Sequence, residues 1–217
     1  LAVAKVRAIR DEFETNARLR EVFGDLVGAE TWNQGDIVCK NGVRVKAISP
    51  GSQVRGILHQ GQRPSKIILD DAENALHVQT QLQREAFSEW FSRDLMPIGT
   101  LGALNVCVVG TTLHPESFLE RIILNPGFIS RRYAAVVQPN ENEALWSRWK
   151  DLLSDLENAN REEDAQAFFL AHEAAMLDGA EVLWPARMPY LALMRTLVMN
   201  GTVAFQYEFI CNAAFGG

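Results

Sequence analysis

A basic surplus is the first thing this chain lacks: 21 Lys and Arg stand against 27 Asp and Glu, a formal net charge of −6. Proteins that coat nucleic acids without selectivity normally carry excess positive charge, so that class is disfavoured. Cysteine is scarce as well. Cys39, Cys107 and Cys211 are far apart and form no CxxC pair, which excludes a disulfide scaffold and a zinc ribbon and favours a reducing compartment. No apolar run reaches the roughly 18 residues of a membrane span. The start of the chain is charged and amphipathic, so no signal peptide is expected. Nothing matches GxxxxGK[ST], the glycine-rich loop that cradles nucleotide phosphates. What remains is 217 residues, 47% hydrophobic and 22% charged, which suits a packed core and argues against disorder or a coiled coil.

Charge is uneven along the chain. Residues 1–69 hold 11 Lys/Arg against 7 Asp/Glu, residues 70–120 hold 2 against 8, and residues 121–217 hold 8 against 12. The acidic turn begins at position 70. Before it, Val6, Ile9, Phe13, Leu19 and Val22 recur at helical spacing, predicting one amphipathic helix over 3–22 ended by Gly24 and Gly28. Two alternating runs around Asn41-Gly42 predict a hairpin over 36–48, with a tight turn needing positive φ at both central residues. Lys66-Ile-Ile-Leu-Asp-Asp71 and Leu104-Asn-Val-Cys-Val-Val-Gly110 are unalternated apolar runs, the pattern of strands buried on both faces in a parallel sheet. A helical stretch over 75–95 separates them, and a helix starting at Pro115 comes next. Strand, helix, strand, helix in that order predicts an α/β core with a mostly parallel sheet, with the 36–48 hairpin at its edge. Residues 141–178 read as two charged helices, Val182-Leu-Trp-Pro185 interrupts them, and a last helix runs from Met188 past Met199 toward Phe205-Gln-Tyr-Glu208 and a terminal Ala-Phe-Gly-Gly.

The chemistry centres on Asp70 and Asp71, which a hydrophobic strand delivers to its C-terminal edge, where ligands of open parallel sheets bind. In a nucleoside triphosphatase the first such carboxylate holds the Mg²⁺ shell and the next orients the attacking water. Either Asp71 or Glu73 could be the base. Two competing arrangements stay open: solvated aspartates that cap the following helix, and a bare three-carboxylate metal site for hydrolysis. Thr111 and Thr112 end the next strand with hydroxyls that could sense a γ-phosphate, or Thr112 simply caps the helix beyond. Arg55, on a glycine-rich loop, is either solvated or an arginine finger acting on a neighbouring subunit. His59, His77, His114 and His172 show no metal-ligand spacing. Trp146, Trp149, Phe168 and Phe169 read most simply as helix-packing residues, with a stacking platform as the lesser alternative, and Arg131-Arg132 is either a local basic contact for DNA or a plain surface pair.

Together these segments resemble the large terminase subunit, the DNA-packaging motor of tailed bacteriophages. The resemblance is carried by Asn16 and Phe23-Gly24, by Asn41-Gly-Val-Arg-Val, by Val54-Arg-Gly56, and by Lys66-Ile-Ile-Leu-Asp-Asp-Ala-Glu73, which resembles a Walker B strand. Val108-Val-Gly-Thr-Thr-Leu-His114 resembles the coupling motif, while Met176-Leu-Asp-Gly-Ala180, Val182-Leu-Trp-Pro185 and Phe205-Gln-Tyr-Glu208 resemble the approach to a nuclease domain. The resemblance implies a P-loop ATPase type of sheet over 1–139, its phosphate-loop part missing, and a helical lid with linker over 140–217. It implies ATP and Mg²⁺ as cofactors, with Asp70 holding Mg²⁺ through water, Asp71 or Glu73 as catalytic carboxylate, Thr111 as coupling residue and Arg55 as finger. The implied partners are double-stranded DNA, a portal protein, a small terminase subunit and further copies in a ring, in the cytoplasm of an infected bacterial host and without a membrane. The chain alone is expected to lack turnover. The alternatives are a non-catalytic assembly module that keeps the fold, or another P-loop ATPase such as a helicase.

Overall fold

Fourteen residues, Ala2–Thr15, form the opening helix α1, and Ala17–Phe23 form α2. The single helix expected over 3–22 is broken at Asn16, whose backbone turns extended (φ −78°, ψ 104°) while its side chain accepts from the N–H groups of Arg18 and Leu19. An asparagine that satisfies those orphan donors starts a new helix more readily than it continues an old one. Gly24, at φ +74°, ends α2 as expected. The computed structural model describes residues 1–212. The terminal Ala214-Phe-Gly-Gly217 lies outside them.

The hairpin forms as strands β1 (Asp36–Val38) and β2 (Arg44–Lys46), antiparallel, with Ile37 opposite Val45. Its turn differs from the expected one. Only Gly42 is left-handed (φ +82°); Gly42 N–H donates to Cys39 O at 2.9 Å and Cys39 N–H to Val43 O at 2.8 Å. This is a type I turn with a left-handed glycine after it, the other common way to match strand twist. Gly28 packs so closely that a Cβ there would sit 1.7 Å from the Val38 carbonyl oxygen, so no side chain fits. Asp36 is held by the Arg44 fork at 2.8 and 2.5 Å and by Lys46 at 3.1 Å. The Arg44 hydrogen bonds, then Lys46, outweigh partial burial and hold its carboxyl below the ordinary 3.8. A depressed folded pKa stabilises above the unfolded value and is lost as pH falls through the folded one. Asp36→Asn should therefore cost about 1–3 kcal/mol at neutral pH and flatten the stability loss below about pH 4, as urea melts across that range would show.

Strands β3 (Lys66–Asp70) and β4 (Asn105–Val109) pair in parallel, Ile67 with Val106 and Asp70 with Val109. The connection is helical but not one helix: α3 (Ala75–Val78) and α4 (Gln81–Glu89) precede a π-helical turn (Trp90–Leu95) and a 3₁₀ turn (Met96–Ile98). The break falls at Thr80, which with Gln83 builds a capping box, the signature of a helix start. Two expectations fail here. The described strands make three two-stranded sheets, one parallel and two antiparallel, not one mostly parallel sheet, and the hairpin stands apart from β3–β4. Nor are the apolar strands buried on both faces. Ile67 and Leu69 are buried, whereas Ile68 is 64% and Val109 56% exposed, because a two-stranded ribbon has a partner layer on one face only.

The chain divides into two compact units, Leu1–Gly110 and Thr111–Gly217; the expected subdomain boundary was 139/140. In the second, α5 (Phe118–Ile123) is capped by Ser117, two residues beyond the Pro115 start expected. The long helices α6 (Glu143–Ser154) and α7 (Arg161–Leu177) form over the stretch where two charged helices were expected. They bury Trp149, Leu153, Ala165, Phe169 and Met176 between them. Strand β5 (Val136–Gln138) pairs antiparallel with β6 (Glu181–Val182). Helices α8 (Tyr190–Asn200) and α9 (Thr202–Glu208) complete a second cluster of Val136, Tyr190, Leu193 and Phe205. Trp146 touches both clusters, lying 5.3 Å from the rings of Trp149 and of Tyr190, and its Nε1–H donates to Met176 O at 3.0 Å.

Candidate functional site

The carboxylate edge is built by the parallel pair. Asp70 is the last residue of β3, opposite Val109. Asp71 then adopts a left-handed backbone (φ +46°) and gives its N–H to Val109 O at 3.0 Å. Asp tolerates that region better than most residues, so the strand can end in a sharp turn that leaves the Asp71 side chain exposed. Lys5, in the first turn of α1, reaches Asp70 Oδ2 at 2.6 Å. Its ammonium is held above its ordinary pKa by the Asp70 hydrogen bond and then by the Asp70 charge. Side-chain exposures of 53% and 37% make this a surface pair, screened by solvent. Its value is positional: it sets the N-terminal end of a 14-residue helix against the C-terminal edge of a parallel strand pair. Sequence alone does not reveal Lys5, because an ion pair across 65 positions leaves no local pattern.

The aspartates cap nothing. Asn74 caps α3, its side chain accepting from Leu76 and His77 N–H, with His77 closing the capping box. Among the described residues no group of three or more His, Cys, Asp or Glu side chains is placed to hold a metal ion, so Asp70, Asp71 and half-buried Glu73 do not form the bare three-carboxylate centre. The donor set suits a different role. Mg²⁺ keeps most of its waters and takes only one or two protein carboxylates beside substrate phosphates, and Asp70 with Asp71 offers that many at an open edge.

Arg55 is exposed but not free. It binds Asp94 through Nε at 3.1 Å and through a terminal nitrogen at 3.0 Å, and its loop is fastened by Trp90 Nε1–H donating to Ser52 O at 3.2 Å. Thr111 and Thr112 belong to the second unit. Thr111 is half-buried; Thr112 is buried, and its hydroxyl has no hydrogen-bond partner among the described residues. The capping role open to Thr112 falls instead to Ser117. The histidines serve local structure: His59 faces Gly42 O at 3.0 Å, His114 Nδ1 accepts from Glu116 N–H at 3.0 Å, and His172 stacks on Phe168. Of the Arg131-Arg132 pair, Arg132 forks onto Glu120 at 2.8 and 2.5 Å, and Arg131 donates to the carbonyl of Ser130 at 3.4 Å, with no carboxylate partner among the described residues. A shallow polar cavity of about 700 Å³ opens elsewhere in the second unit, between Asn140–Ala144 and Ala175–Gly179. It contains none of these residues.

Against this geometry, comparison with protein-family models, with curated proteins and with solved structures gave no match. No described helix is long and apolar enough to cross a membrane.

Proposed function

We propose that this chain is part of an ATP-hydrolysing motor that packages double-stranded phage DNA, the large terminase subunit, and that β3–β4 is the Walker B and coupling half of a P-loop ATPase sheet. The observation that carries the proposal is the Lys5–Asp70 contact at the end of a parallel strand pair. It sets a cationic ammonium on α1 at the strand edge that carries two carboxylates. Phosphates and their Mg²⁺ need those two elements together. In this reading Asp70, now paired with Lys5, would hold Mg²⁺ through water, the ion would supply charge for the phosphates, and Asp71 or Glu73 would accept the proton of the attacking water. Thr111 senses the γ-phosphate, and Arg55, once freed from Asp94, serves a neighbouring subunit's nucleotide in a ring on the portal. The small terminase subunit delivers DNA, and the motor works in the cytoplasm of the infected bacterial host.

The 217 residues contain no phosphate-cradling loop, and the reading requires one from polypeptide outside them. The chain alone should therefore bind ATP weakly and not hydrolyse it. Turnover should appear when it is joined to a phosphate-loop segment of the same gene and assembled on a portal with DNA. ATP turnover by the chain alone would refute the need for that loop, and no turnover in the joined, assembled polypeptide would refute the motor. A second reading, a non-catalytic assembly module, is favoured by one contact only: Lys5 already neutralises Asp70. Lys5→Ala separates the two, since it should strengthen Mg²⁺-nucleotide binding in a motor and change nothing in a module.

A further inference from the structure

Acidic residues are absent from two stretches of a chain that is acidic overall. Residues 121–140 contain Arg121, Arg131 and Arg132 and no Asp or Glu; residues 182–207 contain Arg187 and Arg195 and again no Asp or Glu. Between them, residues 141–181 hold 11 acidic side chains against 3 basic ones. The fold brings the two acid-free stretches together: Val136 pairs with Val182, Leu183 N–H donates to Ala135 O at 3.0 Å, and both stretches share the Val136, Tyr190, Leu193 and Phe205 cluster. The second unit therefore joins an acidic helical hairpin to two acid-free stretches, edged by Glu120, Glu181 and Glu208, which carry five arginines.

Not all of those charges are free. Arg132 is spent on Glu120 and Arg195 on Glu162, which leaves Arg121, Arg131 and Arg187 without a carboxylate partner among the described residues. The Arg132–Glu120 pair itself ties α5 to the 124–135 loop, so Arg121 and Arg131 flank one anchor point. That loop runs 12 residues without regular structure, long for a connection in a compact domain. Two aromatic side chains lie exposed on the same joined stretches, Tyr133 at 68% and Trp184 at 61%. The Arg187 guanidinium covers Trp184, 5.5 Å from the ring centroid.

We infer that this surface binds a single-stranded polynucleotide, with Arg121, Arg131 and Arg187 on phosphates and with Trp184 and Tyr133 stacking on unpaired bases. Exposed aromatic rings beside arginines that hold no carboxylate are the two elements of sequence-tolerant single-strand binding; Tyr133 and Trp184 are both largely exposed, Trp184 with Arg187 already on its ring. A duplex keeps its bases stacked on one another and would make no use of the ring faces. An acidic peptide would meet the arginines but offers no planar group to the rings. The binding needs neither ATP nor the Asp70–Asp71 edge, so its test stands apart from that of the motor.

The test is fluorescence anisotropy with the 217-residue chain in EDTA, without nucleotide, using labelled oligothymidylate and oligouridylate of about 20 nucleotides. A duplex of the same length, phosphatidylserine vesicles and polyglutamate are the comparison probes. Either single strand should bind better than all three, and the ratio of the two tells DNA from RNA. Three phosphate contacts at about −0.7 each predict a log–log salt slope of about −2. Arg131→Ala and Arg187→Ala should each flatten that slope. Trp184→Ala should weaken binding about tenfold while Trp184→Phe retains most of it; thermal melts of these exposed-site variants confirm that they fold. Absence of binding to both single strands, tighter binding to duplex or vesicles, or wild-type affinity in Trp184→Ala would each overturn the inference.

Discussion

In the motor proposed above, Asp71→Asn is expected to lower ATP turnover by about 10²–10⁴-fold, the range a positioned proton acceptor supplies, while the protein stays folded. The second half of that expectation comes from the backbone. Asp71 sits at φ +46°, where a side chain with a branched or bulky Cβ is strained and Asp and Asn are the best tolerated after glycine. Asparagine keeps the conformation and the shape and removes only the charge. Asp71→Ala would confuse the two effects by adding about 1 kcal/mol of strain, whereas Asp71→Gly relieves strain and removes the carboxylate, so it should match Asn in turnover and equal or exceed the wild type in melting temperature. Glu73→Gln is the companion variant. Loss of turnover in Glu73→Gln with normal turnover in Asp71→Asn would move the base to Glu73. Normal turnover in both would take this strand edge out of the chemistry altogether.

The parts of this edge that are legible in the sequence are the local ones. An apolar run stopping at two carboxylates, a helical stretch, then a second apolar run are enough to place β3 beside β4 in parallel. How much of each strand is covered is not legible, because Ile68 and Val109 look like core residues in any sequence and are exposed where, among the described residues, β3 and β4 pair only with each other. The same limit applies to charges. Arg131 and Arg132 are identical in sequence context, and only the position of Glu120 on α5 separates the bound one from the free one. Local hydrogen-bonding chemistry is open to view and outweighs helical periodicity at two points: Asn16 divides the first helix and Thr80 the crossover, each by capping the helix that begins just after it. At Asn41-Gly42 the sequence locates the hairpin but not its turn type, since one left-handed glycine suffices once a type I turn precedes it. Lys5 marks the far end of the scale. Its partner lies 65 residues away, and nothing in the pattern around either residue announces the pair.

Trp149→Ala should be the most damaging substitution for stability, at about 3–5 kcal/mol out of the roughly 5–15 kcal/mol typical of a whole domain. Trp149 is 1% exposed, central to the cluster between α6 and α7, and packed edge-on against Trp146 at 5.3 Å. Arg195, itself fixed by Glu162 and Gln166, lies 5.8 Å over its ring, so the cavity left by alanine cannot close without breaking that network. The indole N–H has no hydrogen-bond partner among the described residues. Trp149→Phe therefore gives up volume but no hydrogen bond, and should cost far less than alanine. Trp146→Phe is the opposite case: it keeps most of the ring but surrenders the 3.0 Å bond to Met176 O, leaving a carbonyl at the end of α7 without that donor, worth about 1–3 kcal/mol. Circular-dichroism melts order the three variants. Alanine at 149 should lower the melting temperature by about 6–20 °C, since each kcal/mol is worth about 2–4 °C at this chain length. A drop no larger than that of Trp149→Phe would mean that the α6–α7 interface closes over the cavity and that Trp149 fills space without organising it.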